Sequence, residues 1–270
     1  MRAPGLVLAA ALLAIGPAPA FAQDGVPVPA SPEARTKAFA KLPYWDGLWL
    51  SAHLETTIGG LSTDVLEARE QGEAPSRNAM QLTGFGAPWN EEGKARQAER
   101  AKTGGNRKAD GWGYPMMMNS NAPLQFLVTP EEVLIINAYR DVRHVYTDGR
   151  KHPAEEDRWP TAWGDSIGHW EGDTLVIDTI AVKNPNIYFH GAPPLSEDAH
   201  YVERLRMNGP DAIEGEIVIT DPKTLTQPWT VKLAYTRAKG FDRMISIEYE
   251  NDRTGFDGST NTIEPDKMGQ

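Results

Sequence analysis

Between residues 123 and 250 apolar and polar side chains alternate with a period of two, broken at short intervals by Gly, Pro, Asp and Asn. This rhythm predicts strands at 124–128, 132–139, 142–147, 167–171, 174–181, 200–207, 212–220, 229–236 and 244–250. The alternation is clearest late in the chain, where Trp229, Val231, Leu233 and Tyr235 share one face and Thr230, Lys232 and Thr236 the other. Asp148-Gly149 and Asn208-Gly209-Pro210-Asp211 read as turns, and Gly172-Asp173 as a two-residue hairpin. Strands this closely spaced, with no helices between them, predict an all-β, mainly antiparallel fold. Its form is a sandwich or, preferred here, an up-and-down or lipocalin-like barrel with a ligand-sized interior.

Upstream the pattern is different. Ser31-Pro32-Glu33 offers a side-chain cap and a proline at the first helical position, predicting a short helix to about residue 41. Residues 44–49 (YWDGLW) read as an aromatic first strand, and 52–80 as irregular. A second helix is expected over 90–102, polar on nearly every face and therefore at the surface, ending before Gly104-Gly105. The first 22 residues have the form of a secretory leader: Arg2, an apolar run over 6–15, and Ala20-Phe21-Ala22 as the cleavage site. The expected organisation is therefore a leader (1–22), a linker with the N-terminal helix (23–43) and one β-barrel-like domain (44–270), released into the periplasm.

Composition narrows the function. Removing the leader from the 270 residues leaves 248, enough for one all-β domain. The formal charge of −10, more negative once Arg2 is removed, gives no electrostatic reason to bind nucleic acid or an anionic membrane surface. The absence of cysteine removes disulfides, thiolate nucleophiles and Cys-ligated metals together, so the fold must rest on its core.

Candidate chemistry is concentrated in YTDGRKHP (146–153), GDSIGHWEGDTLVIDT (164–179) and LSEDAHYVER (195–204). Imidazole titrates near neutral pH, which makes His152 and His200 the candidate proton-transfer groups. Glu203, on the apolar face of the 200–207 strand, and Glu197, just before it, are the candidate partner carboxylates; a structural ion pair is an equal reading for Glu203. Tyr146, Arg150, Ser166 and Arg204 are candidates for holding substrate or developing negative charge. GDSIG matches a nucleophile elbow in letters only, because it precedes a strand instead of following one. Asp178 shares a face with Val176 and Ile180 and is read as inward-facing. The six histidines follow no metal-ligand spacing and no phosphate loop or dinucleotide fingerprint is present, so neither a metal nor a cofactor is expected. The three tryptophans at 159, 163 and 170 and the run Met116-Met117-Met118 suit either a pocket lining or ordinary core.

The segments Pro115-Met116, YTDGRKHP, GDSIGHWEGDTLVIDT, SEDAHYVER and DPKTLTQPW (221–229) resemble a large family of exported bacterial β-rich proteins, mostly without assigned activity. The resemblance spans about residues 110–230 and implies an exported β-barrel; it carries over no reaction or substrate. Members often place a cysteine shortly before the Pro-Met pair, and this chain has none. The expectation is thus an exported, cofactor-independent acid–base enzyme, a lyase or isomerase with hydrolysis next, acting on a small, partly apolar molecule inside the barrel. The alternative is a periplasmic lipocalin-like protein that only binds such a molecule. No nucleic-acid partner and no membrane span are expected.

Overall fold

The computed structural model describes residues 31–51, 82, 86–102, 113–119, 123–184, 193–240 and 243–244. Within them nine strands close into one barrel in sequence order: β1 (Trp49–Ser51), β2 (Leu124–Val128), β3 (Glu132–Asn137), β4 (Val142–Tyr146), β5 (Asp165–Glu171), β6 (Thr174–Ile180), β7 (His200–Met207), β8 (Ala212–Thr220) and β9 (Trp229–Arg237). β9 returns to β1 through Trp49↔Arg237 and Ser51↔Tyr235, so no edge strand is left open. The leader, the linker residues before Ser31, the segment 52–80 and all but the first residue of the expected 244–250 strand lie outside the described residues.

Every neighbouring pair is antiparallel except β4 and β5, which run parallel through Tyr146↔Ile167. Parallel neighbours require a crossover in place of a hairpin, and the chain leaves β4 through a local turn at Asp148. Its carboxylate accepts from the Arg150 backbone N–H (3.2 Å) and from the Arg150 guanidinium (2.6–3.1 Å), forming a closed local turn and not a hairpin. The chain then crosses over residues 147–164 before β5 begins. Gly172-Asp173 does form the expected tight hairpin, with Glu171 opposite Thr174 and Gly172 at φ +66°.

The first strand is shorter than the aromatic pattern suggests. Gly47 adopts φ +82° and turns the chain, so pairing starts only at Trp49. Trp45 and Trp49 are nonetheless both buried. Trp45 packs edge-on against Phe126 and Trp170 at centroid distances of 5.4 and 5.5 Å. The methionine run forms a short 3₁₀ turn (Met116–Asn119) inside the core, fixed by Tyr235 donating to the Met118 carbonyl at 2.6 Å. These residues are core material. Trp159, by contrast, is 83 % exposed.

Helix α1 (Pro32–Phe39) has the expected cap, Ala34 N–H donating to Ser31 Oγ, and buries no residue. Helix α2 (Glu91–Lys102) starts where Gly93 N–H donates to Asn90 Oδ1 at 2.9 Å. Asn90 and Gly93 seat it on the turn after β8: Asn90 N–H donates to Thr224 O at 3.0 Å, and a Cβ on Gly93 would lie 2.4 Å from that oxygen.

Inward positions alternate cleanly. Arg143, Ile177, Tyr201, Glu203, Leu205 and Ile217 are all at 0 % exposure. A side chain without accessible surface borders no void large enough for water, so at the level of these six residues the described interior is close-packed. A closed barrel of about eight strands has an interior just wide enough for side chains to fill. Gly215 shows how tight the wall is: a Cβ there would meet the Arg204 carbonyl at 2.2 Å and Leu205 Cδ2 at 2.6 Å. Gly215→Val is therefore expected to cost about 1–3 kcal/mol or more, seen as a lower denaturation midpoint; an unchanged midpoint would mean that β7 and β8 are not packed as described.

Candidate functional site

Two charged clusters occupy opposite faces of the same strands. The inner one centres on Arg143 of β4. Its guanidinium donates to Glu203 Oε2 at 2.5 Å, Thr179 Oγ1 at 2.8 Å and Ser166 Oγ at 3.2 Å, and lies 4.0 Å from the Tyr114 ring centroid. Burial opposes the charge on Arg143, but Glu203 and the neighbouring tyrosines outweigh it and hold the guanidinium ionised. Burial, then the Glu203 charge, pushes the Tyr114 phenol well above its usual range, although Tyr114 makes no hydrogen bond of good geometry to that carboxylate. Glu203 Oε1 likewise finds no well-formed partner among the described residues.

The outer cluster is a chain of four side chains: Asp165, His152, Asp178 and His200. Asp165 and Asp178 sit on β5 and β6, two positions apart in the ladder, and both point away from the core. His200 opens β7, and His152 comes from the β4–β5 crossover, with Pro153 following it. His152 Nδ1 bonds to Asp165 Oδ1. Its Nε2 lies 3.0 Å from Asp178 Oδ1, and His200 Nε2 lies 2.7 Å from that same oxygen. An ionised carboxylate only accepts hydrogen bonds, so each facing ring nitrogen must carry a proton. His152 is therefore an imidazolium. Burial of the ring works against this, but the bonds and charges of Asp165 and Asp178 prevail and raise its pKa to about 9. Burial tends to raise Asp178, yet its bonds to the two imidazoles leave it below the ordinary aspartate value. His200 is the open end of the chain, with a side chain 43 % exposed.

The residues directly opposite Asp178 and flanking it along its own strand are aliphatic. Ile167 and Val202 stand opposite it on the two neighbouring strands, and Val176 and Ile180 flank it along β6. The expected inward orientation of Asp178 is thus reversed: it does share a face with Val176 and Ile180, but that face is the outer one. β6 is apolar on both faces, with Leu175, Ile177 and Thr179 taking the interior, so alternation alone could not assign its sides.

Of the candidate residues, His152 and His200 are brought together. Glu203 is not with them; the pairing proposed between it and an imidazole is replaced by the Arg143 ion pair, because odd positions of β7 face in and His200 faces out. Ser166 belongs to the same interior network, bonded to Thr179 Oγ1 at 2.8 Å. Glu197 is exposed and accepts from Asn184 N–H at 3.4 Å; it does not contact either imidazole. Arg150 is held by Asp148 and lies 3.8 Å over the Tyr146 ring, so this arginine and tyrosine form one stacked unit on the crossover side. Arg204 bonds to Glu171 at the rim of a groove of about 450 Å³ over β7–β9, where Arg206, Glu214, Glu216 and Lys232 also lie. Sequence reasoning missed Arg143 and the role of Asp165. Neither carried a usable signal: in β4 (VRHVY) each face mixes a valine with a charged or titratable residue, so alternation does not mark Arg143 as inward, and the partner of Asp165 arrives from a crossover. Among the described residues no three His, Asp or Glu side chains are arranged as a metal-binding group.

Comparison of the chain with protein-family models, with curated proteins and with solved structures yields no match. Fold and geometry therefore carry the functional reading: a closed β-barrel with a paired-imidazole, paired-carboxylate cluster on its outer surface.

Glu203→Gln is expected to destabilise the protein by about 3–5 kcal/mol in denaturant unfolding, because it leaves the Arg143 charge buried and unpaired. A near-neutral effect would show that the pair is not desolvated as described. His152 titrates at about 9 when folded against an ordinary 6.5. Its contribution to stability is thus fully present below about pH 6.5, declines as pH rises and is lost beyond about pH 9. The thermal midpoint of wild type relative to His152→Gln should fall across that window. A constant difference would refute the clamped imidazolium.

Proposed function

We propose that the protein is an exported enzyme that performs acid–base chemistry with its own side chains on a small, partly apolar organic molecule, as a lyase or isomerase or, next in order, a hydrolase. His200 is the proton-transfer group and Asp178 its orienting carboxylate. The observation that carries this reading is the 2.7 Å contact between His200 Nε2 and Asp178 Oδ1 on a half-exposed ring. A carboxylate that engages one imidazole nitrogen fixes the tautomer, leaves the other nitrogen with its lone pair, and stabilises the imidazolium formed when that nitrogen takes a proton. The chemistry is thereby placed at the outer rim of the barrel, while Arg143 and Glu203 are paired with each other inside.

The half-buried aliphatic surface of Ile167, Ile180 and Val202 beside Asp178 supports a substrate with an apolar portion. The leader-like first 22 residues support export to the periplasm, and among the described residues no helix is long and apolar enough to cross a membrane. Compared with the rival, a lipocalin-like carrier, the enzyme reading accounts for a hydrogen-bonded imidazole that an apolar ligand would not require.

The mature protein should convert at least one member of a panel of small aromatic and glycosidic compounds, followed by mass spectrometry. His200→Asn should then lower turnover by about 10²-fold or more while leaving the unfolding midpoint within a few tenths of a kcal/mol of wild type. Binding of panel compounds without conversion would favour the carrier, and full activity in His200→Asn would remove His200 from the chemistry.

A further inference from the structure

The outer cluster contains one more imidazole than an oriented base needs. His152 cannot itself take a proton at neutral pH, since both its nitrogens already donate to carboxylates. Its side chain is 17 % exposed, against 43 % for His200, and it is held at both ends. What it touches is the oxygen on which His200 depends: Asp178 Oδ1 receives His152 Nε2 at 3.0 Å and His200 Nε2 at 2.7 Å.

We infer that His152 is a positioning residue that sets the orientation and proton affinity of His200 through the Asp178 oxygen the two imidazoles share. The inference rests on the reading of His200 as the proton-transfer group for its meaning, but the coupling can be measured without substrate. The physics has two parts of the same sign. His152 competes for the Asp178 oxygen that would otherwise serve a protonated His200 alone, and its positive charge repels that second positive charge directly. Both effects end when a neutral side chain replaces His152. The geometric part is orientation: with one hydrogen bond fixed from the crossover, the carboxylate cannot swing away from β7.

Among the described residues, several charged groups that neighbour the cluster along the chain have partners of their own. On the crossover, Arg150 is paired with Asp148. On β5, Asp165 serves the far nitrogen of His152. At the start of β7, Asp198 pairs with Lys223. After β8, Asp221 accepts from Ser196 Oγ at 2.7 Å and from Thr224 Oγ1, while Thr220, opposite His200, is uncharged. His152 is thus the cation bonded directly to Asp178 alongside His200. It also links the crossover to the barrel wall, so one residue ties the loop's position to the chemistry of the rim.

The test is ring-proton NMR titration of His200 in the full-length mature protein. In His152→Gln, where a neutral donor replaces the cation, the His200 midpoint should rise by about one pH unit. In the Asp178→Asn background the same His152→Gln change should move it less, because only the direct repulsion between the two rings remains and the competition for the shared carboxylate oxygen is gone. Should His152→Gln fail to fold, the wild type alone decides: the His200 resonances should show a second inflection where His152 itself titrates, at about 9. An unchanged or lower midpoint in His152→Gln, an equal shift in both backgrounds, or a single inflection in wild type would each overturn the inference. None of these outcomes depends on turnover, so a failure here is distinct from loss of the enzyme reading, which activity in His200→Asn would signal.

Discussion

A closed barrel gives each strand residue only two destinations, the interior or the outer surface, and adjacent residues must take opposite ones. That constraint organises everything chemical in this protein. On β7 it sends Glu203 inward to Arg143 and His200 outward to Asp178. On β5 it sends Ser166 inward and Asp165 outward; on β6 it separates Thr179 from Asp178 in the same way. Three strands therefore carry two polar clusters back to back, one sealed from water and one open to it, with only the thickness of the sheet between them.

The two clusters use the same kinds of group under different dielectrics. Inside, an ion pair without any exposure has lost the solvation of both charges, and its attraction offsets that loss only because Thr179, Ser166 and the Tyr114 face supply further contacts. Such a pair discriminates sharply between registers: a one-residue slip of β7 would place Glu203 in solvent and leave Arg143 unpaired among apolar side chains. Outside, partial exposure leaves room for protons to move. His152 is fixed by two carboxylates, while His200 keeps a solvent-facing edge, so the same strand geometry yields one locked imidazole and one available imidazole.

Much of the fold was legible because period-two patterning and turn dipeptides report directly on strands. The boundaries of β2, β7 and β8 and the Gly172-Asp173 hairpin follow from them, as do both helices, which carry their caps in sequence. The Asp148-Gly149 turn was legible, but the parallel β4–β5 pairing was not, because a turn marks where β4 ends and not where the following crossover carries the chain. The site was half legible. Titratable residues in three motifs marked the region, yet their grouping depends on which face of an apolar strand points out and on where an 18-residue crossover (147–164) lands. Alternation assigned His200 and Glu203 to opposite faces of β7, but no local pattern couples His152 to Asp165 or tells that Arg143 waits inside for Glu203.

The central claim is a distribution of protons: one imidazole held doubly protonated between two carboxylates, the other presenting a free nitrogen because Asp178 engages its Nε2. Nitrogen-15 shifts of the histidine rings in isotopically labelled protein read that distribution directly. Over the pH range in which His200 is neutral, the account predicts protonated-type shifts at both His152 nitrogens, with His200 protonated at Nε2 and bare at Nδ1. A neutral His152 below about pH 8, or a His200 that carries its proton on Nδ1, would contradict it.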